Sequence, residues 1–323
     1  MVTSQSKICA VVVTYNRIEL LKLCIESLKK QTRSLDEILI INNSSTDGTE
    51  EWLEKQKDLI FITQENTGGA GGFHTGIKTA YEKGFDWIWC MDDDSMPFPA
   101  TLYTLLKYSK KKYAAVCPLV IDLKNNMIAD QRGYLNKGFI KLYSLQSAIN
   151  INDILYKAEI DIDLTSFVGP LINTAAVKSI GLPKNEYFIH NDDMEYSLRL
   201  RQFGNIMLIP SAKIIHKAEG DSEIISIHFM GKTLYRKSFQ QYWIKYYTLR
   251  NFFATLKLHY PNEISAYLSI VLTTLKELIQ IILFDSYKLK RIRIVLVAMY
   301  DGITNRFDRK LNIVKEIMYS KQK

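Results

Sequence analysis

Three consecutive aspartates, Asp92, Asp93 and Asp94, follow an apolar run that begins at Trp87. Carboxylates this close repel one another unless a cation or solvent neutralises them. Alternate side chains of an extended chain lie on the same side, so Asp92 and Asp94 can offer oxygens to one hard divalent cation that also binds a diphosphate. A solvated charge run is the competing interpretation. The apolar strand pattern before the triplet and Pro97 after it favour a metal site.

A histidine far along the chain is a candidate third metal ligand. His216 follows a predicted strand at residues 206–209 and the turn at Pro210. A neutral imidazole nitrogen is a common ligand of divalent metals. A lone histidine is more often structural, so this assignment depends on the aspartate triplet.

A second acidic cluster lies at a predicted helix start within residues 188–199. Asp192, Asp193 and Glu195 gather there, and Glu195 has the i, i+4 spacing that supports an ion pair with Arg199. A carboxylate held near other acids is suited to accept a proton from an attacking hydroxyl. Helix capping by Asp192 is the structural alternative, and we expect it as well.

A glycine-rich segment, residues 66–73, opens a predicted helix. Backbone N–H groups at such a helix start could bind phosphate, and glycines let a sugar approach the main chain closely. A flexible turn is the alternative. The spacing does not fit a dinucleotide-binding glycine motif because position 74 is histidine, and the segment lacks the Gly-Lys pair of a P-loop.

The elements that must position these residues alternate between two periodicities. Short β-branched runs at residues 8–13, 38–41 and 59–62 alternate with helical patterns, which predicts βαβ units and an α/β fold with a parallel sheet. Residues 125–162 carry a mixed pattern to which we assign no chemistry. We expect a catalytic domain over residues 1–225 and a helical region over residues 226–323.

The helical region is aromatic and partly apolar. The apolar stretch at residues 264–284 is interrupted by Lys276 and Glu277, which argues against a membrane-spanning helix. Basic residues interleaved with aliphatic ones follow it, including Lys288, Lys290 and Arg293. This pattern fits either packing on the catalytic domain or contact with an anionic bilayer, and the two are compatible.

Composition sets the class of protein. The 323 residues carry a formal net charge of +8 and are 47% hydrophobic, as expected for a globular protein. A basic balance suits nucleic acid, anionic lipid or a nucleotide diphosphate, but the clustered acids disfavour nucleic-acid binding. The four cysteines form no Cys-x-x-Cys pair, and the first apolar run is too short for a signal peptide. We therefore expect a cytoplasmic protein.

Taken together, these motifs resemble the glycosyltransferase family 2. Residues 12–17 and 44–49 are similar to the opening of that family. Residues 66–73, 87–94 and 192–199 are similar to bacterial galactofuranosyltransferases of cell-surface polysaccharide synthesis, and residues 247–251 resemble a segment of rhamnosyltransferases. The resemblance implies a GT-A nucleotide-diphospho-sugar transferase fold, with a mixed, mainly parallel sheet, helices on both sides and a C-terminal helical extension.

The resemblance also implies roles for individual residues. Asp193 is the expected base, and Asp92, Asp94 and His216 are the expected ligands of Mn²⁺ or Mg²⁺. The expected nucleotide contacts are Thr14, Tyr15 and Arg17, with Asn42 or Asn43 near the base. Most relatives carry aspartate where Asn42 stands, but an amide can still pair with the imide edge of uracil. Residues expected near the donor sugar or acceptor are Asn66, Gly69, Gly71, Gly72, Phe73, Trp89, Asp93 and Asp192.

The implied reaction is an inverting transfer of galactofuranose from UDP-galactofuranose to a saccharide acceptor, with a lipid-linked acceptor implied. A rhamnosyltransferase that uses a deoxythymidine diphosphate sugar is the nearest alternative. A non-catalytic carbohydrate-binding homologue is a more distant one, and it should lack the carboxylate set that this chain retains. A lipid-linked acceptor would place the protein peripherally at the inner face of the cytoplasmic membrane.

Overall fold

The computed structural model describes residues 6–110, 112–142, 145–217, 224–229 and 231–319. The chain divides into two compact units. The first unit comprises Met1–Leu135, Gln146–Phe188 and Asp192–Glu219, and the second comprises Asn136–Leu145, Ile189–Asn191 and Gly220–Lys323. We predicted one boundary after residue 225. The units instead divide near residue 220, and two short earlier segments group with the second unit, which a single cut in the sequence does not express.

A central sheet organises the first unit. The strands of this unit are β1 (Ile8–Thr14), β2 (Glu37–Asn42), β3 (Ile60–Thr63), β4 (Trp87–Asp92), β5 (Ser95–Pro97), β6 (Tyr113–Ile121), β7 (Arg132–Leu135), β8 (Gln146–Ser147), β9 (Ile160–Ile162), β10 (Leu164–Thr165), β11 (Leu171–Asn173) and β12 (Asn205–His216). The central sheet has the order β3-β2-β1-β4-β11-β6-β12-β5, with β9 beside β12. Strands β3, β2, β1 and β4 are parallel neighbours, as are β6 and β12. The antiparallel β11 lies between β4 and β6. This mixed, mainly parallel sheet confirms the predicted fold class.

Helices cover both faces of the sheet. The helices of the first unit are α1 (Ile18–Lys29), α2 (Thr49–Leu53), α3 (Gly68–Glu82), α4 (Thr101–Tyr108), α5 (Ile151–Tyr156), α6 (Thr174–Ile180) and α7 (Asp192–Phe203). Successive side chains of β1 enter two different apolar clusters, one shared with α3, α6 and α7 and the other with α1, α2 and α4. A strand buried on both faces needs a continuous apolar sequence, and β1 has one.

Helix α3 lies unusually close to β1 because glycines face the strand. A Cβ atom at Gly76 would lie 2.2 Å from Cγ1 of Val11, and one at Gly72 would lie 2.4 Å from Cγ1 of Val13. Real side chains do not approach this closely, so a larger residue would push the helix away from the sheet. The small residues therefore set the distance between α3 and the sheet.

The loops after β1 and β2 are tied together by side-chain hydrogen bonds. Asp47 accepts hydrogen bonds from the backbone N–H of Ile18 at 2.9 Å and from the hydroxyl of Thr49 at 2.6 Å. It therefore holds the start of α1 and the start of α2 at once. The side-chain oxygen of Asn16 accepts a hydrogen bond from the backbone of Thr46 at 2.7 Å. The carboxyl edge of the sheet is thus fixed on this side.

The second unit consists mainly of helices. Its elements are β13 (Ile224–Phe229), β14 (Lys232–Lys237), α8 (Trp243–His259), α9 (Ile264–Phe284), α10 (Lys288–Thr304) and α11 (Leu311–Tyr319). Strands β13 and β14 form an antiparallel hairpin. Among the described residues, α9 alone is long and apolar enough to cross a membrane by length and composition, and a third of its most apolar window is buried in the protein. Within this helix Glu277 is buried and pairs with Arg236 at 2.8 Å.

Candidate active site

Strand pairing brings His216 to the aspartate triplet at the end of β4. Asp92 is the last residue of β4, and Asp94 directly precedes β5. Strand β5 pairs with the end of β12, so that Ser95 lies opposite His216, and the backbone N–H of Lys217 donates to the carbonyl of Asp94 at 2.9 Å. One possible ligand atom from each of Asp92, Asp94 and His216 lies within 4.8 Å of the other two. The structure therefore places the three predicted ligands in one group.

The charges of these three side chains depend on one another. Burial, together with the charge of Asp94, raises the pKa of Asp92 to about 7. Burial also disfavours the ionised form of Asp94, but His216 and Arg17 outweigh it and lower the pKa of Asp94. The pKa of His216 is raised because Asp94 and Asp92 outweigh the effect of burial. Asp94 is therefore ionised beside His216 and Arg17, whereas burial and the charge of Asp94 oppose ionisation of Asp92.

Two polar atoms of the group show that a cation would fit. Oδ1 of Asp94 and Nδ1 of His216 are buried and have no hydrogen-bond partner among the described residues. Nε2 of His216 lies 3.1 Å from Oδ1 of Asp94, an ion-pair contact that exists only while the imidazole is protonated. A buried carboxylate oxygen without a partner is costly. Carboxylate oxygens together with one imidazole nitrogen are ligands that Mn²⁺ accepts. The residues therefore fit the predicted metal site.

The third aspartate of the triplet is held by the end of β1. The hydroxyl of Thr14 donates to Oδ2 of Asp93 at 2.8 Å, and both side chains are buried. Arg17 lies 3.5 Å from Oδ1 of Asp93 and 3.0 Å from Oδ2 of Asp94. The side chains of Thr14 and Asp93, for which we predicted substrate contacts, contact each other. Tyr15 is 46% exposed, so its side chain is accessible, and its contact with a nucleotide stays a prediction.

The predicted base lies in the first turn of α7. Asp192 and Asp193 are the first two residues of this helix, so Asp192 is part of the helix and does not precede it as a cap. Burial raises the pKa of Asp193 to about 6. Burial, Asp193 and Asp92 together raise the pKa of Asp192 well above its usual range. The charge of Asp92 acts on Asp192, so the start of α7 lies within electrostatic reach of the aspartate triplet.

An ion pair fixes the rest of this helix. Glu195 is fully buried and accepts hydrogen bonds from Nε and Nη2 of Arg199, at 2.9 and 2.7 Å. The predicted i, i+4 pair is therefore present. Nη1 of Arg199 also donates to the carbonyl oxygens of Ile180 and Leu182, at 2.9 and 3.0 Å. Such a buried bidentate pair with additional backbone partners positions α7 rigidly.

Comparison with known proteins agrees with this arrangement. The family model described as "Glycosyl transferase family 2" matches residues 9–156. The galactofuranosyltransferase GlfT1 of Mycolicibacterium smegmatis is 30% identical over 209 residues, which cover 62% of this chain and 68% of that protein. This chain belongs to glycosyltransferase family 2.

Other relatives extend the match. GlfT1 of Mycobacterium tuberculosis is 28% identical over 202 residues, covering 60% of this chain and 64% of that protein. The dTDP-rhamnosyl transferase RfbF of Shigella flexneri is 27% identical over 311 residues, covering 92% and 96%. The crystal structure of GalNAc-T7 with UDP, GalNAc and Mn²⁺ superposes with a TM-score of 0.58 and 13% identity over 94% of this chain and 58% of that one, which supports the GT-A fold.

Both asparagines expected near the nucleotide base of this family-2 glycosyltransferase are used internally. Asn42 is fully buried, donates to the hydroxyl of Thr63 at 3.2 Å and accepts from the backbone of Ser45 at 3.0 Å. Asn43 donates to the carbonyl of Gly68 at 3.1 Å and accepts from Gln64 at 2.9 Å. The expected contact of their amides with uracil is not available in this conformation because these amides hold the loops after β2 and β3.

Part of the glycine-rich segment is used in packing. Gly72 is buried against β1, and Phe73 stacks on Phe167 with ring centroids 4.3 Å apart, so neither is placed to face a donor sugar. Gly71 lines a cavity of about 380 Å³ together with Thr67 and His74, and its predicted contact with the donor stays a prediction. Gly69 has open space around the position of a Cβ atom, so it remains a possible contact. The side-chain oxygen of Asn66 accepts a hydrogen bond from the backbone N–H of Gly68 at 2.9 Å, which holds the turn before α3.

Gly68 brings the segment before α7 to the glycine-rich turn. Its φ is +72°, and a Cβ there would lie 2.0 Å from the carbonyl oxygen of Phe188. The same oxygen accepts a hydrogen bond from the backbone of Ala70 at 3.1 Å. Phe188, His190 and Asn191 all have positive φ. Backbone strain of this kind is typical of functional segments that the surrounding structure holds in place.

Trp89 is a further correction. We expected it to face sugar or acceptor, but its side chain is fully buried in the cluster that contacts α1 and α4. Its indole N–H donates to the carbonyl of Gly169 at 2.9 Å. This hydrogen bond holds the segment before β11 against β4. Its position inside β4, three residues before Asp92, gave no indication of this contact.

Arg132 is a buried cation near Asp193 that the sequence analysis missed, because it lies in the stretch to which we assigned no chemistry. Its guanidinium is buried and donates to the carbonyls of Pro118 and Val168, at 3.2 and 2.6 Å, and to the hydroxyl of Ser166 at 3.1 Å. Its positive charge lowers the pKa of Asp193 and so opposes the effect of burial. An arginine in a polar segment gives no sequence signal for this role.

We predict that the full-length protein binds Mn²⁺ through Asp92, Asp94 and His216. Saturating Mn²⁺ should raise its melting temperature, because a ligand that binds only the folded state stabilises it. His216→Ala and Asp94→Asn should weaken the affinity measured by titration calorimetry by more than about tenfold, since loss of an outer-sphere partner alone has that effect. Asp58→Asn is the matched control, because Asp58 is exposed and pairs with Lys29 at 2.7 Å. Equal Mn²⁺ affinity in all four proteins would contradict the assignment.

Proposed function

We propose that this glycosyltransferase transfers galactofuranose from UDP-galactofuranose to a hydroxyl group of a lipid-linked saccharide, with inversion of the anomeric centre. The observation that carries the proposal is the pairing of two acidic groups in one site: the group of Asp92, Asp94 and His216, and the carboxylate of Asp193 with a pKa of about 6. A carboxylate with this pKa is ionised at neutral pH and basic enough to accept a proton in the transition state.

The proposed reaction is a single displacement. Asp193 accepts the proton of the acceptor hydroxyl while its oxygen forms a bond to the anomeric carbon, and the bond from that carbon to the diphosphate oxygen breaks on the opposite face. One displacement inverts the configuration. A divalent cation, when bound, neutralises the charge that develops on the diphosphate. Asp92, Asp94 and His216 would hold that cation, and Mn²⁺ would suit their imidazole and carboxylate atoms better than Mg²⁺.

The buried charges near Asp193 tune it for this reaction. Arg132 lowers its pKa, while burial and the nearby Asp130 raise it. Asp192 stays protonated more readily than Asp193 because burial, together with the charges of Asp193 and Asp92, raises its pKa well above its usual range. Two neighbouring carboxyl groups with separated pKa values can serve as one proton acceptor and one hydrogen-bond donor. We assign the acceptor role to Asp193 and the donor role to Asp192.

The choice of donor is supported by similarity to the two GlfT1 proteins, whose name gives galactofuranosyl transfer. The Shigella RfbF protein supports a second candidate, rhamnosyl transfer from a deoxythymidine diphosphate sugar, because its match covers 92% of this chain. The buried Asn42 does not discriminate between the two, since uracil and thymine present the same imide edge.

A donor screen tests the proposal directly. The purified full-length protein with Mn²⁺ and an acceptor library should release UDP from UDP-galactofuranose in an acceptor-dependent manner, and should release little dTDP from dTDP-rhamnose. We expect kcat/KM for the two donors to differ by at least about 10²-fold, since buried polar recognition groups discriminate strongly. If the protein prefers dTDP-rhamnose, rhamnosyl transfer replaces galactofuranosyl transfer as the proposed function.

Asp193 provides a second prediction. Asp193→Asn should lower kcat by about 10²–10⁴-fold, the usual contribution of general base catalysis, and leave the KM for the donor near the wild-type value. In the wild type, kcat should fall as pH decreases through about 6, because the carboxylate is then protonated and no longer accepts the proton.

The matched control for Asp193 is Asp130→Asn. Asp130 is exposed and raises the pKa of Asp193. Its replacement should retain turnover and move the acidic limb of the pH–rate profile to slightly lower pH. Turnover retained in Asp193→Asn, or an unchanged kcat well below pH 6, would assign the base to another residue.

We further propose that the second unit lies on an anionic bilayer, and α9 supports this with an inverted pattern of burial. Its buried positions include the polar residues Ser265, Ser269, Thr273, Thr274 and Glu277, whereas its exposed positions include Ile264, Leu268, Val271, Leu275, Ile279 and Ile282. Soluble helices bury the apolar face instead. Contiguous exposed apolar surface marks an interaction site, and the basic residues near it suit an anionic membrane.

Flotation with liposomes tests membrane association. The wild type should float with vesicles that contain anionic lipid, and the floated fraction should fall with rising salt because the basic residues contribute. Leu268→Glu combined with Leu275→Glu should abolish flotation. Leu123→Glu is the matched control, since Leu123 is also exposed but lies in the first unit. Flotation of the double variant at the wild-type level would exclude α9 as the contact.

A further inference from the structure

A cavity of about 250 Å³ opens in the second unit between β14, α8 and α9. None of the proposed steps of sugar transfer uses it. Its lining combines cationic and hydroxyl-bearing side chains with a single carboxylate: Tyr235, Arg236, Lys237, Tyr242, Lys245, Thr248 and Glu277. The positive charges therefore outnumber the negative ones around a small enclosed volume.

Part of this charge is compensated within the protein. Arg236 donates to Asp285, Gln280 and Glu277, at 3.0, 2.8 and 2.8 Å. Glu277 also accepts a hydrogen bond from the hydroxyl of Tyr242 at 2.9 Å and lies 3.1 Å from the ammonium of Lys245. This hydrogen-bonded network forms one wall of the cavity. The guanidinium of Arg236 is fully used there.

Lys237 is the uncompensated cation. It is half-buried, and within the described part of the chain its ammonium has no carboxylate or carbonyl partner. Burial lowers the pKa of Lys237, and its charge in turn lowers the pKa of the neighbouring Lys245. A half-buried ammonium without an anion destabilises the folded protein. An anionic ligand in the cavity would remove this cost.

We propose that this cavity binds the phosphoryl group of a phosphate or diphosphate ester. The ammonium groups of Lys237 and Lys245 supply charge, and the exposed Tyr235 supplies a hydroxyl donor at the rim. The cationic lining excludes a metal ion, and the volume suits a single phosphoryl or diphosphoryl group better than a polynucleotide. Lysine is a common phosphate-binding residue because it carries a compact charge with three donors.

Residues that contact the cavity wall directly precede Asp192 and Asp193 in the sequence. We therefore relate the cavity to the acceptor, an inference that rests on the proposed function. The side chain of Asn191 donates to the carbonyl of Thr248 in the cavity wall at 3.0 Å. The charge of Lys237 acts on His190. Both residues belong to the second unit and lead directly, along the chain, into Asp192 and Asp193. A phosphoryl group held here would belong to the acceptor, or alternatively to the headgroup of a membrane lipid.

Direct binding tests the cavity without any assumption about the reaction. Titration of full-length protein with inorganic pyrophosphate in the presence of EDTA should show binding that Lys237→Gln weakens about tenfold, the effect of one charge-assisted hydrogen bond. Lys288→Gln, an exposed lysine outside the cavity, and Asp92→Asn should keep the wild-type affinity. The ligand-free melting temperature of Lys237→Gln should equal or exceed that of the wild type. Equal pyrophosphate affinity in Lys237→Gln and the wild type would overturn the proposal.

Kinetics and vesicle binding distinguish the two sources of the phosphoryl group. If it belongs to the acceptor, Lys237→Gln raises the KM of a diphosphate-linked saccharide about tenfold and leaves the KM of the same saccharide as an alkyl glycoside unchanged. If it belongs to a lipid, only flotation with anionic phospholipid vesicles falls. No effect on either overturns the proposal. A wild type that transfers no sugar to any acceptor would refute the proposed function, while the pyrophosphate titration would still decide the cavity.

Discussion

The negative charges of Asp92, Asp93 and Asp94 repel one another at the end of β4, where burial limits their hydration. The neighbouring residues of the first unit offset this repulsion. Each aspartate of the triplet has a different neighbour. Asp93 is held by the hydroxyl of Thr14, Asp94 lies between Arg17 and His216, and Asp92 is left with a pKa raised to about 7. Asp92, Asp94 and His216 form a group that could hold a metal ion, and a cation there would offset the repulsion. The family membership and the Mn²⁺ in the crystal structure of GalNAc-T7 agree with this electrostatic argument.

Backbone packing makes the site compact. Gly76 and Gly72 let α3 approach β1, and Gly68 lets the turn before α3 touch the carbonyl oxygen of Phe188. Because the chain reaches Asp193 five residues after Phe188, this contact fixes the segment that leads to Asp193 relative to the glycine-rich turn. Gly68, Gly72 and Gly76 thus act by closeness of packing, whereas Gly69 has open space around its Cβ position and Gly71 lines a cavity. The strained residues before α7 are consistent with a segment held in place by its surroundings.

The sequence allowed us to predict features that follow from hydrophobic periodicity and from residue chemistry. It did not allow us to predict which motif residues are exposed to solvent. The α/β class, the strand that ends at Asp92, and the grouping of Asp92 and Asp94 followed from alternation along an extended chain. The exposure of a motif residue does not follow from its neighbours, so Phe73 and Trp89 were wrongly placed beside the substrates although both pack in the core. Arg132 was missed because a buried cation is recognisable only once its partners are known.

In the second unit, too, the sequence did not predict which side chains are buried. Sequence analysis treated Lys276 and Glu277 as an interruption of an apolar stretch, but the two residues differ completely in position. Lys276 is exposed, whereas Glu277 is buried and neutralised by Arg236 and Lys245. Five of the buried positions of α9 are polar and three, Ala266, Ile270 and Ile281, are apolar, while its exposed positions are mainly apolar apart from Lys276. A buried polar group is costly unless it is hydrogen-bonded, and Glu277 is paired whereas Oγ1 of Thr273 has no hydrogen-bond partner among the described residues. The surface of α9 that we propose to contact a membrane is therefore its exposed apolar face, and the charge that interrupts the apolar stretch inside the protein is the one that finds partners there.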